Sequence, residues 1–484
     1  MMHQPDVVVV GSGPNGLAAA VTMARAGLAV QVFEAKPTAG GGARTSELTL
    51  PGFLHDNCSA VHPMAVASAF FRQFRLAERI PLVTPDISYA HPLDHRQAGI
   101  AYRDLERTVD GLGQDGVTWR RLFGPLVEHA DQVARLAGSS LLRAPRHPGT
   151  ALQFACRTFQ QGTRLWSTGF KEDVAPAMLT GVMAHAILPL PALAAAAAGL
   201  SLGTYAHARG WPVPVGGSQA ITHALIDDLE QHGGEVITDH QVDDIGSLDG
   251  ARAVVFDVSP RELLRISGRR FPDLYRRRLE RFRYGSGTAK VDFALNVPVP
   301  WAVAELTKAG TVHVGGSRTD IARAEREVAH GQHAAAPYVL AAQPTPLDPS
   351  RTPAGGHVLW TYAHVPTGSN VDQTETIIRQ IERFAPGFRD TILATHQRTA
   401  AGTEQYDANY VGGDIAAGRA GLHQLLARPI LSTDPWRVPV DGMYLCSSST
   451  PPGPGVHGLA GWYAARSALR HTFGIATMPS LAPD

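Results

Sequence analysis

The 484 residues exceed what one small core organises, and typical domain sizes imply roughly two to four domains. Hydrophobic residues at 44% and charged residues at 18% exclude wholesale disorder. Basic and acidic side chains number 43 each, and that balance argues against nucleic acid as the main partner. Cys58, Cys156 and Cys446 lie far apart with no CxxC pair, so neither a disulfide framework nor a zinc knuckle is indicated. A reducing, cytoplasmic setting fits, and Met1 to Asp6 is too short and polar for a signal peptide.

Taken in chain order, Asp6 to Val10 is a continuous apolar run suited to a strand buried on both faces. Pro14 to Ala26 reads as a helix capped by Gly27, and Ala29 to Phe33 as a second strand. From about Phe70 to Leu200 the pattern is helical and mixed, with no further parallel-strand signal. Ala220 to Leu229 is predicted helical, and Glu235 to Thr238 and Ala253 to Phe256 are short strands. Strands with alternating faces follow at Ala289 to Leu295, Thr311 to Val314, Tyr338 to Ala341 and His357 to Ala363. Such alternation suits an antiparallel sheet with one side buried. Asp372 to Phe384 reads as a helix opened by a capping box of Asp372 and Glu375. The chain closes with a strand at Met443 to Cys446, a Gly/Pro-rich turn and a helix at Gly458 to Leu469.

Chemistry enters first at Gly11-Ser-Gly13-Pro14-Asn15-Gly16, a GxGxxG loop. It follows a buried strand and opens a helix, and Glu34 closes the next strand, the context the dinucleotide fingerprint requires. The helix start offers N–H groups and partial positive charge to a diphosphate. The Glu34 carboxylate, with Ala35 beside it, suits ribose hydroxyls and would repel an additional phosphate there. This unit alone does not separate NAD from FAD.

Gly40-Gly41-Gly42-Ala43-Arg44-Thr45 resembles the second glycine motif of the flavoprotein superfamily that includes phytoene desaturases and amine oxidases. Tyr444-Leu-Cys446-Ser447-Ser-Ser-Thr-Pro-Pro-Gly-Pro-Gly455-Val456-His457-Gly458 resembles its C-terminal flavin motif, except that Ser447 stands where glycine is usual. Leu50-Pro-Gly-Phe53, Cys58 to Pro63, Gly233 to Val236 and Gly287 to Leu295 extend the likeness over nearly the whole chain. The resemblance is to phytoene-desaturase-like FAD oxidoreductases, in the branch akin to the pyridine nucleotide-disulfide oxidoreductase domain-containing protein 2. It implies FAD as cofactor, with Gly41, Gly42, Ala43 and Arg44 along the pyrophosphate. It further implies Val236 at adenine, and Ser447, Gly455, Val456 and His457 at the flavin.

Lys290 is one of four lysines and stands within a strand, on the same face as Asp292. Followed by Pro300-Trp301, it resembles the amine-oxidase lysine that holds a water near flavin N5, and it is the candidate catalytic residue. Pairing with Asp292 at the sheet surface is its bland reading. Gly455 stands where amine oxidases usually place an aromatic residue, which disfavours that activity. Trp462 and Tyr463 read as packing residues.

Other features carry less. His91 and His95 have metal-like spacing, but Pro92 interrupts a helix and no third ligand is evident, so no metal is expected. Val182 to Leu200 is alanine-rich and broken by Pro189 and Pro191, and reads as a buried helix pair or cavity wall rather than a membrane span. Arg269 to Arg283 reads as a solvated helix face first and a peripheral membrane contact second.

The expected fold is α/β. A Rossmann-like FAD domain with a parallel sheet is discontinuous in sequence (1–75, 201–284, 430–484). An inserted α+β substrate domain carries an antiparallel sheet (76–200, 285–429). The expected activity is hydride transfer from an apolar or partly apolar small molecule to flavin N5, forming a double bond, with oxygen, a quinone or another redox protein as electron acceptor. An amine or amino-acid oxidase is the first alternative, and a flavin-binding interaction protein without turnover the second. Substrate identity and oligomeric state are not legible.

Overall fold

The computed structural model describes residues 4–483. Five short strands form a parallel sheet in the order Met443–Leu445, Ala253–Phe256, Val7–Val10, Val30–Phe33, Glu235–Ile237. The central Val7–Val10 strand is buried along its whole length, so continuous valine is what its position demands. The helix Pro14–Ala24 starts with proline in its first turn and is buried from Asn15 to Ala24. The C-terminal helix Leu459–His471 crosses it closely, because Gly461 has no Cβ to strike the Asn15 carbonyl. Chain segments hundreds of residues apart thus share one layer, as expected of a discontinuous Rossmann-like sheet.

A second sheet has seven strands, in the order Ile392–Arg398, Gly287–Leu295, His357–Val365, Val339–Ala342, Ala309–Val314, Ile87–Leu93, Gln97–Tyr102. All neighbours are antiparallel except the 309–314 and 87–93 strands, which run parallel. The last two strands correct the expectation of a mixed helical stretch from Phe70 to Leu200. Every residue of the 87–93 strand is buried, so it shows no alternation, and Pro92 within it reads as a breaker. A second correction concerns the sheet's faces. The 287–295, 309–314 and 339–342 strands are buried throughout. One face packs on a core containing Phe293, Leu359 and the helix Thr374–Glu382, while the other contributes Leu340, Trp360 and Tyr362 to the largest core cluster. The two edge strands alternate, 392–398 between half-buried and exposed positions and 98–102 between half-buried and buried ones.

The capping box expected at Asp372 and Glu375 does not form. The Asp372 carboxylate accepts the Thr374 N–H and hydroxyl, and Glu375 pairs with Arg389 instead. The alanine-rich stretch folds as the end of helix Val174–Met183, a short turn and the start of helix Leu193–Ala208, both packed into the core. Among the described residues no helix is long and apolar enough to cross a membrane. In the arginine-rich segment the helix Asp273–Glu280 turns Tyr275 and Leu279 inward, and its Arg276 pairs with Asp273. Only Leu274 of its apolar residues faces outward.

Candidate active site

A cavity of about 1070 Å³ lies between the two sheets. At one end its wall begins where the parallel strands stop, at Val10 and Phe33. Ligands of open α/β sheets bind at this carboxyl edge. Of the residues singled out in the sequence, Gly11, Gly13, Pro14, Asn15, Glu34, Ala35, Gly41, Gly42 and Arg44 line this end. Ser447, Gly455 and Val456 line the same cavity from the C-terminal turn, and so does Lys290 from the second sheet. The three glycine-bearing stretches therefore converge.

Their convergence is close. A Cβ on Gly41 would sit 3.0 Å from the Gly13 Cα, so the second glycine loop rests directly on the first. Ser12 ties both to the acidic residue: its N–H and hydroxyl donate to Glu34 Oε2 at 3.2 and 2.5 Å, and its oxygen accepts the Gly40 N–H at 3.1 Å. Arg44 pairs with Glu34 at 3.0 Å and donates to the Thr38 carbonyl at 2.7 Å. Its charge is thus already engaged by its own loop.

Four expected residues stand behind the wall rather than on it. Gly16 and Ala43 are buried in the loops' backs, and Val236 pairs with Val32 at the sheet edge. His457 is fully buried; its Nδ1 accepts the Leu459 N–H at 3.0 Å and its Nε2 donates to the Gly453 carbonyl at 3.0 Å. It braces the turn that opens the last helix. Gly455 has φ +126°, and a Cβ there would meet Met64 Sδ, so the turn excludes any larger residue at this point. Trp462 and Tyr463 pack in the helix against the core, as expected.

Lys290 lines the cavity while its Nζ donates to both oxygens of Asp292. Both side chains are buried, and His55 and His396 approach Asp292 at 3.7 and 3.8 Å. Burial pushes Lys290 below the usual ammonium range. Burial opposes the Asp292 charge as well, but Lys290 and the two imidazoles beside it hold that carboxyl below its ordinary range. The pair forms, but inside the molecule rather than at a sheet surface. Trp301 lies in the core on the other face and donates to Gln343 at 3.1 Å. The aromatic neighbours of Lys290 are Trp360, whose ring centre is 5.6 Å from Nζ, and Tyr362, set at 86° to Trp360.

Sequence reasoning missed several wall residues. Asp257, Val258 and Ser259 follow the 253–256 strand, and His240 to Val242 follow the 235–237 strand. The rule that ligands gather at carboxyl ends of parallel strands was signal enough to find them. Arg428 had none: fully buried, it donates to the carbonyls of Ala416, Gly418 and Ser448, clamping the C-terminal turn. Burial lowers it to about 10. Farther in, the wall becomes apolar, with Phe154, Ile187, Leu193, Ala194, Ala197 and Leu202, and with His185 as a polar exception. Among the described residues, no cluster of three or more His, Cys, Asp or Glu is arranged to hold a metal.

Residues 9–74 match the family described as NAD(P)-binding Rossmann-like domain. The chain is similar to the pyridine nucleotide-disulfide oxidoreductase domain-containing protein 2 of Rattus norvegicus, 26% identical over 96% of this chain and 93% of that protein. The Mus musculus protein of the same name is 24% identical over the same shares. Among solved structures, a putrescine oxidase variant with redesigned cofactor binding superposes with a TM-score of 0.62 at 18% identity, covering 97% of this chain and 99% of the other. Cyclohexylamine oxidase from Brevibacterium oxydans gives 0.59 at 15% identity, covering 98% and 99%. Residues 9–74 thus match a Rossmann-like dinucleotide-binding family, the chain as a whole shares the fold of the putrescine and cyclohexylamine oxidases, and the curated proteins it is similar to are pyridine nucleotide-disulfide oxidoreductase domain-containing proteins.

Proposed function

We propose that the protein is an FAD-dependent oxidoreductase that desaturates an apolar or partly apolar small molecule. The observation that carries this reading is the meeting of three remote glycine stretches on one cavity wall, with Gly41 resting on Gly13 and Gly455 across the same space. The residues present fit FAD. The helix 14–24 starts at the cavity from Gly13, which has no side chain to cap it, so that Asp257 takes the Gly16 N–H, and Asn15 Oδ1 is buried on the wall without a hydrogen-bond partner. Unmet groups of this kind are costly unless a ligand satisfies them. Gly11, Gly13, Pro14, Gly41 and Gly42 would hold the diphosphate with Arg44 bracing their loops, the Asn15 amide oxygen would accept from a cofactor hydroxyl, and Glu34 and Ala35 would hold the adenosine ribose. Ser447, Gly455 and Val456 would hold the flavin end.

FAD, when bound, supplies hydride acceptance at N5. The protein's own share is orientation, exclusion of water and handling of one proton. Hydride leaves one substrate carbon, a proton leaves its neighbour, and a double bond forms between them. Lys290 is our candidate for tuning that proton step: Asp292 and Trp360 fix its Nζ at the cavity wall, and burial loosens its hold on its own proton. The apolar wall from Phe154 to Leu202 suits a substrate with little charge. Oxygen, a quinone or another redox protein would remove the electrons.

A flavin amine oxidase is the second reading. The perpendicular Trp360 and Tyr362 pair beside Lys290 favours it, since two aromatic faces suit an amine, while Gly455 disfavours it. Anaerobic mixing of the yellow holoprotein with apolar alkenes and alkanes, alcohols and simple amines separates the two. Loss of flavin absorbance with uncharged apolar compounds supports desaturation, and loss with amines alone, followed by peroxide in air, replaces it with the oxidase. Flavin that no compound bleaches points to binding without turnover.

A further inference from the structure

We propose that Asp257 meets the cofactor diphosphate as the neutral carboxylic acid, so that the protein takes up a proton together with FAD. The inference rests on the reading of FAD as cofactor and adds a residue that no glycine motif contains. Asp257 directly follows the Ala253–Phe256 strand and lines the cavity. Its Oδ2 accepts the Gly16 N–H at 2.9 Å and lies 2.5 Å from where a Cβ on Gly13 would stand. The carboxyl therefore covers the backbone of the very glycine that lets a diphosphate approach.

The groups facing it make an ionised form costly. Glu34 comes from the end of the 30–33 strand, Asp407 and Tyr410 from the loop after helix Ala400–Tyr406, and Cys446 from the end of the 443–445 strand. Its charged neighbours, Asp407 and Glu34, are both carboxyls. Arg44, the nearest arginine of the glycine motifs, is engaged by Glu34 and the Thr38 carbonyl. An ionised Asp257 would add a further negative charge against an arriving dianion. As the acid it keeps Oδ2 as acceptor for Gly16 and gains an O–H to donate to a phosphate oxygen. Burial, with Asp407 and Glu34 adding to it, pushes this carboxyl up to about 7, where a proton is available at neutral pH.

The test is FAD release from holoprotein, followed by the fluorescence of freed flavin on dilution at pH 6 to 9. The unmodified protein is expected to hold FAD with constant affinity below the carboxyl's value and to weaken by up to about tenfold per pH unit above it. Asp257→Asn supplies a permanent acceptor and donor, and is expected to hold FAD without that slope; Asp407→Asn is expected to keep the slope. In weak buffer at pH 8, binding of FAD to flavin-depleted protein should take up about one proton. A flat profile or no proton uptake in the unmodified protein overturns the proposal, and so does a slope that survives in Asp257→Asn. Protein that holds no FAD at any pH overturns the cofactor reading beneath it, an outcome distinct from FAD held equally at every pH.

Discussion

At the dinucleotide end of the cavity the wall is mostly backbone, with Gly41 seated on Gly13 and Ser12 bridging both loops to Glu34. At the far end it is side chain, with Lys290, Trp360 and Tyr362 projecting from strands buried on both faces and a sheath of alanine and leucine from the helices. The first region tolerates no added atoms, whereas the second tolerates changes of shape but not of charge. Fixed geometry suits a cofactor that never changes, and adjustable side chains suit a substrate that differs among relatives sharing the fold.

The comparison is broken most directly by adding atoms to the backbone-built end. Gly16→Val would drive a Cβ into the Gly11 carbonyl and against Asp257, so we expect a loss of about 3 kcal/mol or more with no retained flavin. Chemical denaturation and the flavin content of purified protein measure both. Lys290→Met tests the charge-built end. It strands Asp292 and should cost about 3–5 kcal/mol, while flavin content stays normal. Lys290→Met combined with Asp292→Asn should recover most of that stability.

The pH dependence of this pair has a definite sign. Asp292 is held below the ordinary carboxylate range, so its contribution is fully present above the unfolded value, about 3.9, and fades as pH falls through the lower folded value. The stability of unmodified protein relative to the double variant, which carries neither charge of the pair, should therefore fall only in acid. A fall near neutrality instead would mean that the pair is not ionised as described.

Smaller effects sharpen the same contrast. Arg44→Met removes the charged hydrogen bonds that brace the second glycine loop, and should weaken FAD binding by about 1.5–3 kcal/mol in a fluorescence titration, leaving any substrate preference unchanged. Arg276→Ala, on a solvated helix outside the cavity wall, should change stability by less than about 0.5 kcal/mol, since its partners Asp273 and Glu280 are more exposed than it is. Sedimentation with anionic vesicles, compared before and after that substitution, tests whether the helix has a membrane role.

Legibility in the sequence followed the same division. A loop whose function requires glycine leaves a spacing that can be read, as at 11–16, while the 40–45 and 444–458 stretches stand out by their resemblance to a flavoprotein family. Asp257 and His240 were overlooked although the strands before them were assigned; the carboxyl-edge rule applied to each strand would have named them. The 87–93 strand was illegible because complete burial removes the polar face that makes a strand recognisable, and its neighbour 97–102 runs through Ala98, Gly99 and Ala101, which have little strand preference. Arg428 and the Trp360–Tyr362 pair gave no signal at all, since what matters there is which distant carbonyls or walls the fold brings near them.

The account stands on one FAD held along its full length by three separate stretches. Its most direct test is the flavin released by denaturing freshly purified protein, identified by chromatography and counted per chain. FAD at close to one per chain is the expected result. Flavin mononucleotide in its place would leave the glycine loops with nothing to hold, and protein that carries no flavin and takes up none when offered FAD would contradict the central claim outright.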